Sequence, residues 1–157
     1  MNILIVGATG NLGSHVMKFL MSGPHRLRLL THKRTLPFDM SEGANVEIVH
    51  GDLADRASLP DICAGINCIV YVAGVLFRPY PERFLRLTNT VYAETIVDAA
   101  LAARVQKFIL VSFPHVEEHT TPDTPARAYL RFMPSRSMRA LGSKLKNICF
   151  VRVKAAA

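Results

Sequence analysis

The stretch Val6-Gly7-Ala8-Thr9-Gly10-Asn11-Leu12-Gly13 decides how this chain is read. An apolar run from Ile3 to Val6 precedes it. A pattern of helical spacing follows, with Leu12, Val16, Phe19 and Leu20 on one face. Strand, glycine-rich turn and helix in that order open a βαβ unit of the kind that binds a dinucleotide. Small residues are needed here for steric reasons. One glycine permits the tight turn, another lets backbone N–H groups approach a pyrophosphate, and a third lets the helix lie close to the sheet. The unpaired N–H groups and positive dipole end of the helix then face the phosphates. The spacing is Gly-x-x-Gly-x-x-Gly rather than Gly-x-Gly-x-x-Gly, and the competing reading is a tight turn with no ligand.

The chain has 157 residues, half of them apolar, which is enough for one domain with a sizeable core. No apolar run reaches the length of a membrane span, and the N-terminus passes straight into a strand without a signal-like segment. Cys63, Cys68 and Cys149 make an odd count with no metal-ligand spacing, so free buried thiols in a reducing cytoplasm are expected. The net charge of +7 is unevenly placed. Residues 1–123 hold all 12 acids and all but eight of the 19 Lys and Arg residues, so the body is nearly neutral. The excess lies in Arg127, Arg131, Arg136, Arg139, Lys144, Lys146, Arg152 and Lys154. The folded body therefore lacks a nucleic-acid footprint.

Apolar runs predict strands at 2–6, 26–30, 46–50, 68–73 and 107–112, with helices near 12–22, 55–64 and 84–104. Gly23-Pro24 stops the first helix. In the last helix Tyr92, Ile96, Ala99, Ala100 and Ala103 share a face whose alanines suit close packing on a sheet. The alternation predicts a doubly wound parallel sheet, an α/β fold of Rossmann type. Beyond Phe113 the prolines at 114, 122, 125 and 134 break any long element. A short helix over 137–148 and a sixth strand over 148–153 are expected after them.

At this point the sequence resembles the short-chain dehydrogenase/reductases, in the extended or atypical branch that includes NmrA-like proteins and NAD-dependent epimerases. The resemblance rests on Gly7 to Gly13, Gly51-Asp52-Leu53-Ala54-Asp55, Val70-Tyr71-Val72-Ala73-Gly74, Asn89-Thr90 leading to Val97-Asp98-Ala99-Ala100, and Val105-Gln106-Lys107-Phe108 running on to Ser112. These pieces cover about residues 1–120 in the family's order. The resemblance implies that Gly7, Gly10 and Gly13 line a pyrophosphate, with Thr9, Asn11 and Leu12 in the same turn. It implies that Asp52 and Leu53 meet the adenine end, where a carboxylate accepts the amino hydrogen; the other reading of Asp52 is a helix cap or turn former. Ala73 and Gly74 would pass beneath the cofactor. At the end of the second strand, NAD-binding members carry a carboxylate for the ribose hydroxyls. This chain reads Leu30-Thr31-His32-Lys33-Arg34 instead. The cationic cluster of His32, Lys33 and Arg34 suits the 2′-phosphate of NADP. A solvated basic loop, with NAD as the cofactor, is the alternative.

Catalytic residues are where the resemblance thins. The family's chemistry uses a Tyr-x-x-x-Lys pair with a Ser or Thr that polarises the substrate oxygen. Ser112 takes the place of that hydroxyl or is simply a strand-end serine. Tyr129 is followed four residues on by Met133, not lysine, and receives no role. Asn89 would anchor an ordered water or cap its helix. His115 and His119 have helical metal-ligand spacing, but Pro114 and Thr120-Thr121-Pro122 favour a loop, so no metal is expected. Cys63 and Cys68 read as core packing rather than redox chemistry.

The expected organisation is a dinucleotide-binding domain over 1–125 followed by an atypical basic tail over 126–157. The substrate domain of extended members is not among these residues. The tail's abrupt change in charge raises a second expectation, that residues after about Ala126 are read out of frame. Back-translation of Met138 to Phe150 in the shifted frame can encode a charge-balanced amphipathic helix. Function is expected to be that of an NAD(P)-dependent oxidoreductase or epimerase acting on a small molecule. The alternative is a non-catalytic dinucleotide sensor. A nucleic-acid binder working through the tail is a third class.

Overall fold

The computed structural model describes residues 1–33, 36, 45–74, 86–112 and 148–152. Arg34, His115, His119, Tyr129 and the helix expected over 137–148 fall outside the described residues, as does the proposed change of frame near Ala126. The described residues form one parallel sheet. Its strands are β1 (Asn2–Val6), β2 (Arg26–Thr31), β3 (Val46–His50), β4 (Cys68–Tyr71), β5 (Lys107–Ser112) and β6 (Ile148–Arg152), in the order β3-β2-β1-β4-β5-β6. Each adjacent pair is parallel, with Ile3 opposite Leu27 on one side and Cys68 on the other. All six sit within two residues of the stretches predicted from sequence.

Both faces of the central strands are covered, which is why they read as unbroken apolar runs. On one face Leu4, Val6, Leu30, Ile69, Tyr71, Phe108 and Leu110 pack against α2 (Leu59–Cys63) and α3 (Tyr92–Ala102). Their neighbours in sequence, Ile3, Ile5, Leu27, Leu29, Cys68 and Val70, point the other way and meet Met17 of α1 (Asn11–Met21). The period of two along each strand thus divides the apolar residues between two core layers. Tyr71 and Phe108 stack with ring centroids 6.3 Å apart, joining β4 to β5 in the larger layer.

The helices depart from expectation in informative ways. Of the predicted face of α1, Val16 and Leu20 are half-buried against the smaller core layer, but Leu12 and Phe19 are 43% and 77% exposed, while Gly13 and Met17 are buried. Gly13 lies against the Gly7 carbonyl, where a Cβ would collide, so the buried side of the helix takes in Gly13 and Met17 beside Val16 and Leu20. The helix expected over 55–64 shortens to Leu59–Cys63. Two carboxylates unwind its start: Asp52 Oδ1 accepts the Ala54 N–H at 2.9 Å and Asp55 Oδ1 accepts the Ala57 N–H at 3.2 Å. Such turns compete directly with helical hydrogen bonds. The helix expected over 84–104 begins as a wider π-helical turn over Arg86–Val91 before α3. The Tyr71 hydroxyl donates to the Thr88 carbonyl at 3.0 Å, tying that turn to β4. At the far end Arg104 takes a left-handed φ of 56°, and the Val105 N–H closes onto the Ala100 carbonyl at 2.9 Å.

Candidate dinucleotide-binding site

In a parallel sheet with this strand order, β1 is flanked by β2 and β4, and the chain leaves β1 and β4 toward opposite faces. The crevice this opens beyond the strands' C-terminal ends is where ligands of such sheets bind. The glycine turn sits in that crevice. Gly7 has φ +99°, a backbone region that L side chains rarely adopt. A Cβ placed there would lie 2.7 Å from the backbone nitrogen of Ala73, so the β1 and β4 loops touch main chain to main chain. A Cβ on Gly13 would collide with the Gly7 carbonyl oxygen.

Gly10 is different. It is the N-cap of α1 at φ −80° and ψ 166°, a conformation any residue can adopt. Its N–H donates to the Gly7 carbonyl at 3.0 Å and its carbonyl accepts from the Ser14 N–H at 2.9 Å. No side chain caps this end of the helix and no acid lies in its first turn. Its N-terminal N–H groups therefore combine with the helix dipole to favour an anion. Thr9 is partly buried, whereas Asn11 and Leu12 are exposed. The Ser14 hydroxyl donates to the Asn11 carbonyl at 2.7 Å and His15 Nδ1 lies 2.8 Å from the same oxygen. The residues present fit a pyrophosphate: a tight backbone cradle, unpaired donors and no competing carboxylate.

The residues expected at the adenosine end also come together. His32 and Lys33 follow β2 and are exposed. His32 Nε2 lies 3.5 Å from Asp52 Oδ2. Asp52 also forms the turn described above, so both of its oxygens have partners within the chain. Leu53 is half-buried against the larger core layer. Beneath the pair, Thr31 and His50 were not picked out from sequence. The buried Thr31 hydroxyl lies 2.9 Å from His50 Nδ1, and the Thr31 carbonyl accepts the Gly51 N–H at 2.9 Å. Their signal was weak, because a threonine closing a strand and a histidine before Gly51-Asp52 look like ordinary strand ends. A Cβ on Gly51 would lie 2.7 Å from Ile62 Cδ1 and 3.1 Å from Leu30 Cδ1, so those side-chain ends would have to shift to admit one.

Ala73 is half-buried and Gly74 exposed, at the end of β4 next to the glycine turn. Ser112 closes β5, paired with Arg152 of β6, which places its backbone on the same edge of the sheet. Cys63 and Cys68 are buried and unbridged. Burial pushes the Cys63 thiol up to about 11 against the opposing pull of Arg28. Burial raises Cys68 as well, opposed by Lys107. Among the described residues no group of three His, Cys, Asp or Glu is placed to hold a metal ion. No helix among them is long and apolar enough to cross a membrane.

A groove of about 360 Å³ lies at the opposite edge of the sheet, lined in part by Asn2, Arg26, Arg28 and Glu47. Arg28 is already committed there. It donates to Glu47 Oε2 at 2.8 Å and to the carbonyls of Ile62 and Ala64 at 2.8 and 2.9 Å, binding the end of α2 to the sheet. That edge serves the fold.

A model of the NmrA-like family matches residues 1–131. Ceramide reductase of Caulobacter vibrioides is 35% identical over 111 residues, which are 70% of this chain and 34% of that protein. Photosystem II assembly factor Ycf39 of Cyanophora paradoxa is 28% identical over 121 residues, 76% of this chain and 36% of that protein. Among solved structures, the UDP-glucuronic acid 4-epimerase of Bacillus cereus in complex with NAD superposes with a TM-score of 0.70 at 16% identity. It covers 98% of this chain and 55% of the epimerase, and the likeness is one of fold. The chain spans about a third of the length of the curated relatives it matches, from 30% to 38%.

Proposed function

The chain belongs to the NmrA-like family, and from that premise we propose that it binds an NAD(P) dinucleotide, NADP in preference to NAD, across the C-terminal ends of β1 and β4. The observation that carries this reading is the first turn of α1, which has no cap and no acid and opens beside the Gly7–Ala73 contact. Backbone N–H groups after Gly10 hold the pyrophosphate, with Gly7 and Gly13 fixing the turn and Thr9, Asn11 and Leu12 lining it. Ala73 and Gly74 keep the path beneath the cofactor clear of side chains. Asp52 and Leu53 border the adenine, and His32, Lys33 and Arg34 supply positive charge for a 2′-phosphate. The nicotinamide, when bound, supplies or accepts a hydride.

In the oxidoreductase or epimerase reading, the Ser112 hydroxyl donates to the substrate's reacting oxygen. The second reading is a dinucleotide sensor without turnover. It is favoured by one observation: the family's Tyr-x-x-x-Lys pair has no counterpart at Tyr129, where Met133 stands in the lysine's place. The free thiols of Cys63 and Cys68 suit a reducing cytoplasm. Titrating NADPH and NADH separately into the purified chain tests the cofactor reading. Saturable uptake with NADPH the tighter supports it, and no uptake of either ends it. Oxidation of bound NADPH by a panel of carbonyls and quinones separates enzyme from sensor.

A further inference from the structure

We propose that the end of the sheet away from the glycine turn docks on an anionic lipid surface. This face is formed by the N-terminal ends of the strands and is independent of the cofactor site. Backbone hydrogen bonds tie these ends together. The Lys107 N–H donates to the Asn67 carbonyl at 3.1 Å, the Asn67 N–H to the Asn2 carbonyl at 2.9 Å, and the Arg26 N–H to the Met1 carbonyl at 3.0 Å. Arg104 follows α3 at the same end of the sheet. Helix α1 runs back from the glycine turn and brings Phe19 and Met21 there in its last turn. The topology thus gathers Arg26, Arg104 and Lys107 with Met1, Phe19 and Met21 at one end of the molecule.

Phe19 belongs to neither core layer and is 77% exposed, and Met1 and Met21 are exposed as well. Arg26 and Arg104 are exposed and Lys107 is half-buried. Among the described residues no carboxylate lies within ion-pair distance of these three cations. The acids of the elements that end here are mostly engaged or remote. Glu47 is held at 2.8 Å by Arg28, the arginine that serves the fold, and Asp98 lies 3.9 Å from Arg56. Glu94 is in the first turn of α3, at the far end of that helix, which leaves Asp61 of α2 against the three cations. Cations interleaved with bulky apolar side chains suit an anionic bilayer: the charges gain near the headgroups while the apolar groups enter the acyl boundary. An acidic polypeptide would answer the cations and leave the Phe19 ring in water. No helix among the described residues is long and apolar enough to cross a membrane, so the contact is one of lying on the surface. The glycine turn faces the other way, and its crevice stays open to solvent in the docked chain.

The test is co-sedimentation of the full chain with vesicles of phosphatidylcholine alone and of phosphatidylcholine with about one third phosphatidylserine, at low and high salt. Binding is expected on the anionic vesicles at low salt, and little on phosphatidylcholine. Arg26→Glu combined with Arg104→Glu should weaken it at least about tenfold, and Phe19→Ser about fivefold to tenfold. All three side chains are exposed, so both core layers stay intact, which urea unfolding checks. The chain has no tryptophan, so Phe19→Trp places a single indole on this face, and its emission should shift to the blue on the anionic vesicles. Equal binding to both kinds of vesicle, or to neither, would overturn the proposal. Anionic binding that survives both edge variants would assign it to the basic residues after 126 and overturn it too. So would vesicle binding with no shift in the Phe19→Trp emission. Capture of the chain by poly-glutamate as tightly as by the vesicles, with Phe19→Ser unchanged, would mark an acidic polypeptide as the partner instead.

Discussion

Gly7 and Ala73 meet main chain to main chain: a side-chain carbon on Gly7 would sit 2.7 Å from the Ala73 nitrogen. The contact joins the loops after β1 and β4 and shapes the crevice between them. Gly7→Ala should therefore cost stability as well as ligand affinity. Positive φ contributes about 1–2 kcal/mol and the clash about 1–3 kcal/mol. Urea unfolding monitored by far-ultraviolet circular dichroism reads the sum, expected at about 2–5 kcal/mol. A change under about 0.5 kcal/mol would show that the two loops are not pressed together.

Arg104 follows α3 in a left-handed conformation, φ 56°, at a position where helices usually place glycine. Arg104→Gly should raise stability by about 0.5–1 kcal/mol, because relief of the Cβ strain exceeds the added freedom of the unfolded chain. The rise appears as a higher urea midpoint with an unchanged slope.

The buried thiols give a stability that depends on pH. Cys63 in the folded chain titrates near 11, above its ordinary 9.0, and Cys68 is raised in the same direction. A thiol that resists ionisation in the fold binds more protons there than in the unfolded chain. Its contribution is therefore complete below pH 9 and lost as pH rises toward 11. Unfolding midpoints should fall across that interval, and less so in Cys63→Ser than in the unaltered chain. At pH 8 neither thiol should react with a disulfide reagent until denaturant is added.

Lys33→Ala combined with Arg34→Ala removes two cations from the end of β2. NADPH should lose about tenfold or more in affinity, while NADH changes by less than about threefold. Calorimetric titration of both dinucleotides measures the narrowing.

Much of this was legible because the chemistry of the backbone constrains the residue types. The strands were readable from apolar runs; two-sided burial imposes such a run on the central β1 and β4, whereas β3, with Glu47 and a 43%-exposed Ile48, was legible from Val46, Ile48 and Val49 alone. The glycine turn was readable because Gly7 and Gly13 answer steric demands that other residues cannot meet. The orientation of α1 was readable only in part: Val16 and Leu20 pack on the smaller core layer as apolar spacing suggests, but Leu12 and Phe19 are exposed. The approach of Gly13 to the Gly7 carbonyl and the burial of Met17 emerge only in three dimensions. The early part of α2 was misread because Asp52 and Asp55 compete for backbone N–H groups, an effect that periodicity does not register. The pairing of Thr31 with His50 and of His32 with Asp52 joins residues about 20 apart in sequence through the β2–β3 register. No linear pattern announces such a meeting.

The most direct test sets Gly10 against its neighbours. Gly7 and Gly13 are needed by the fold, whereas Gly10 has an ordinary backbone conformation, and a Cβ there would meet only the Gly7 carbonyl oxygen, at 3.2 Å, a contact too close by a few tenths of an ångström. Calorimetry of NADPH with the unaltered chain and with Gly10→Ala, alongside urea unfolding of both, separates the two demands. The expected outcome is stability within about 1 kcal/mol of the unaltered chain, together with at least about a tenfold loss of NADPH affinity. Unchanged affinity in a folded Gly10→Ala chain would contradict a pyrophosphate at the start of α1.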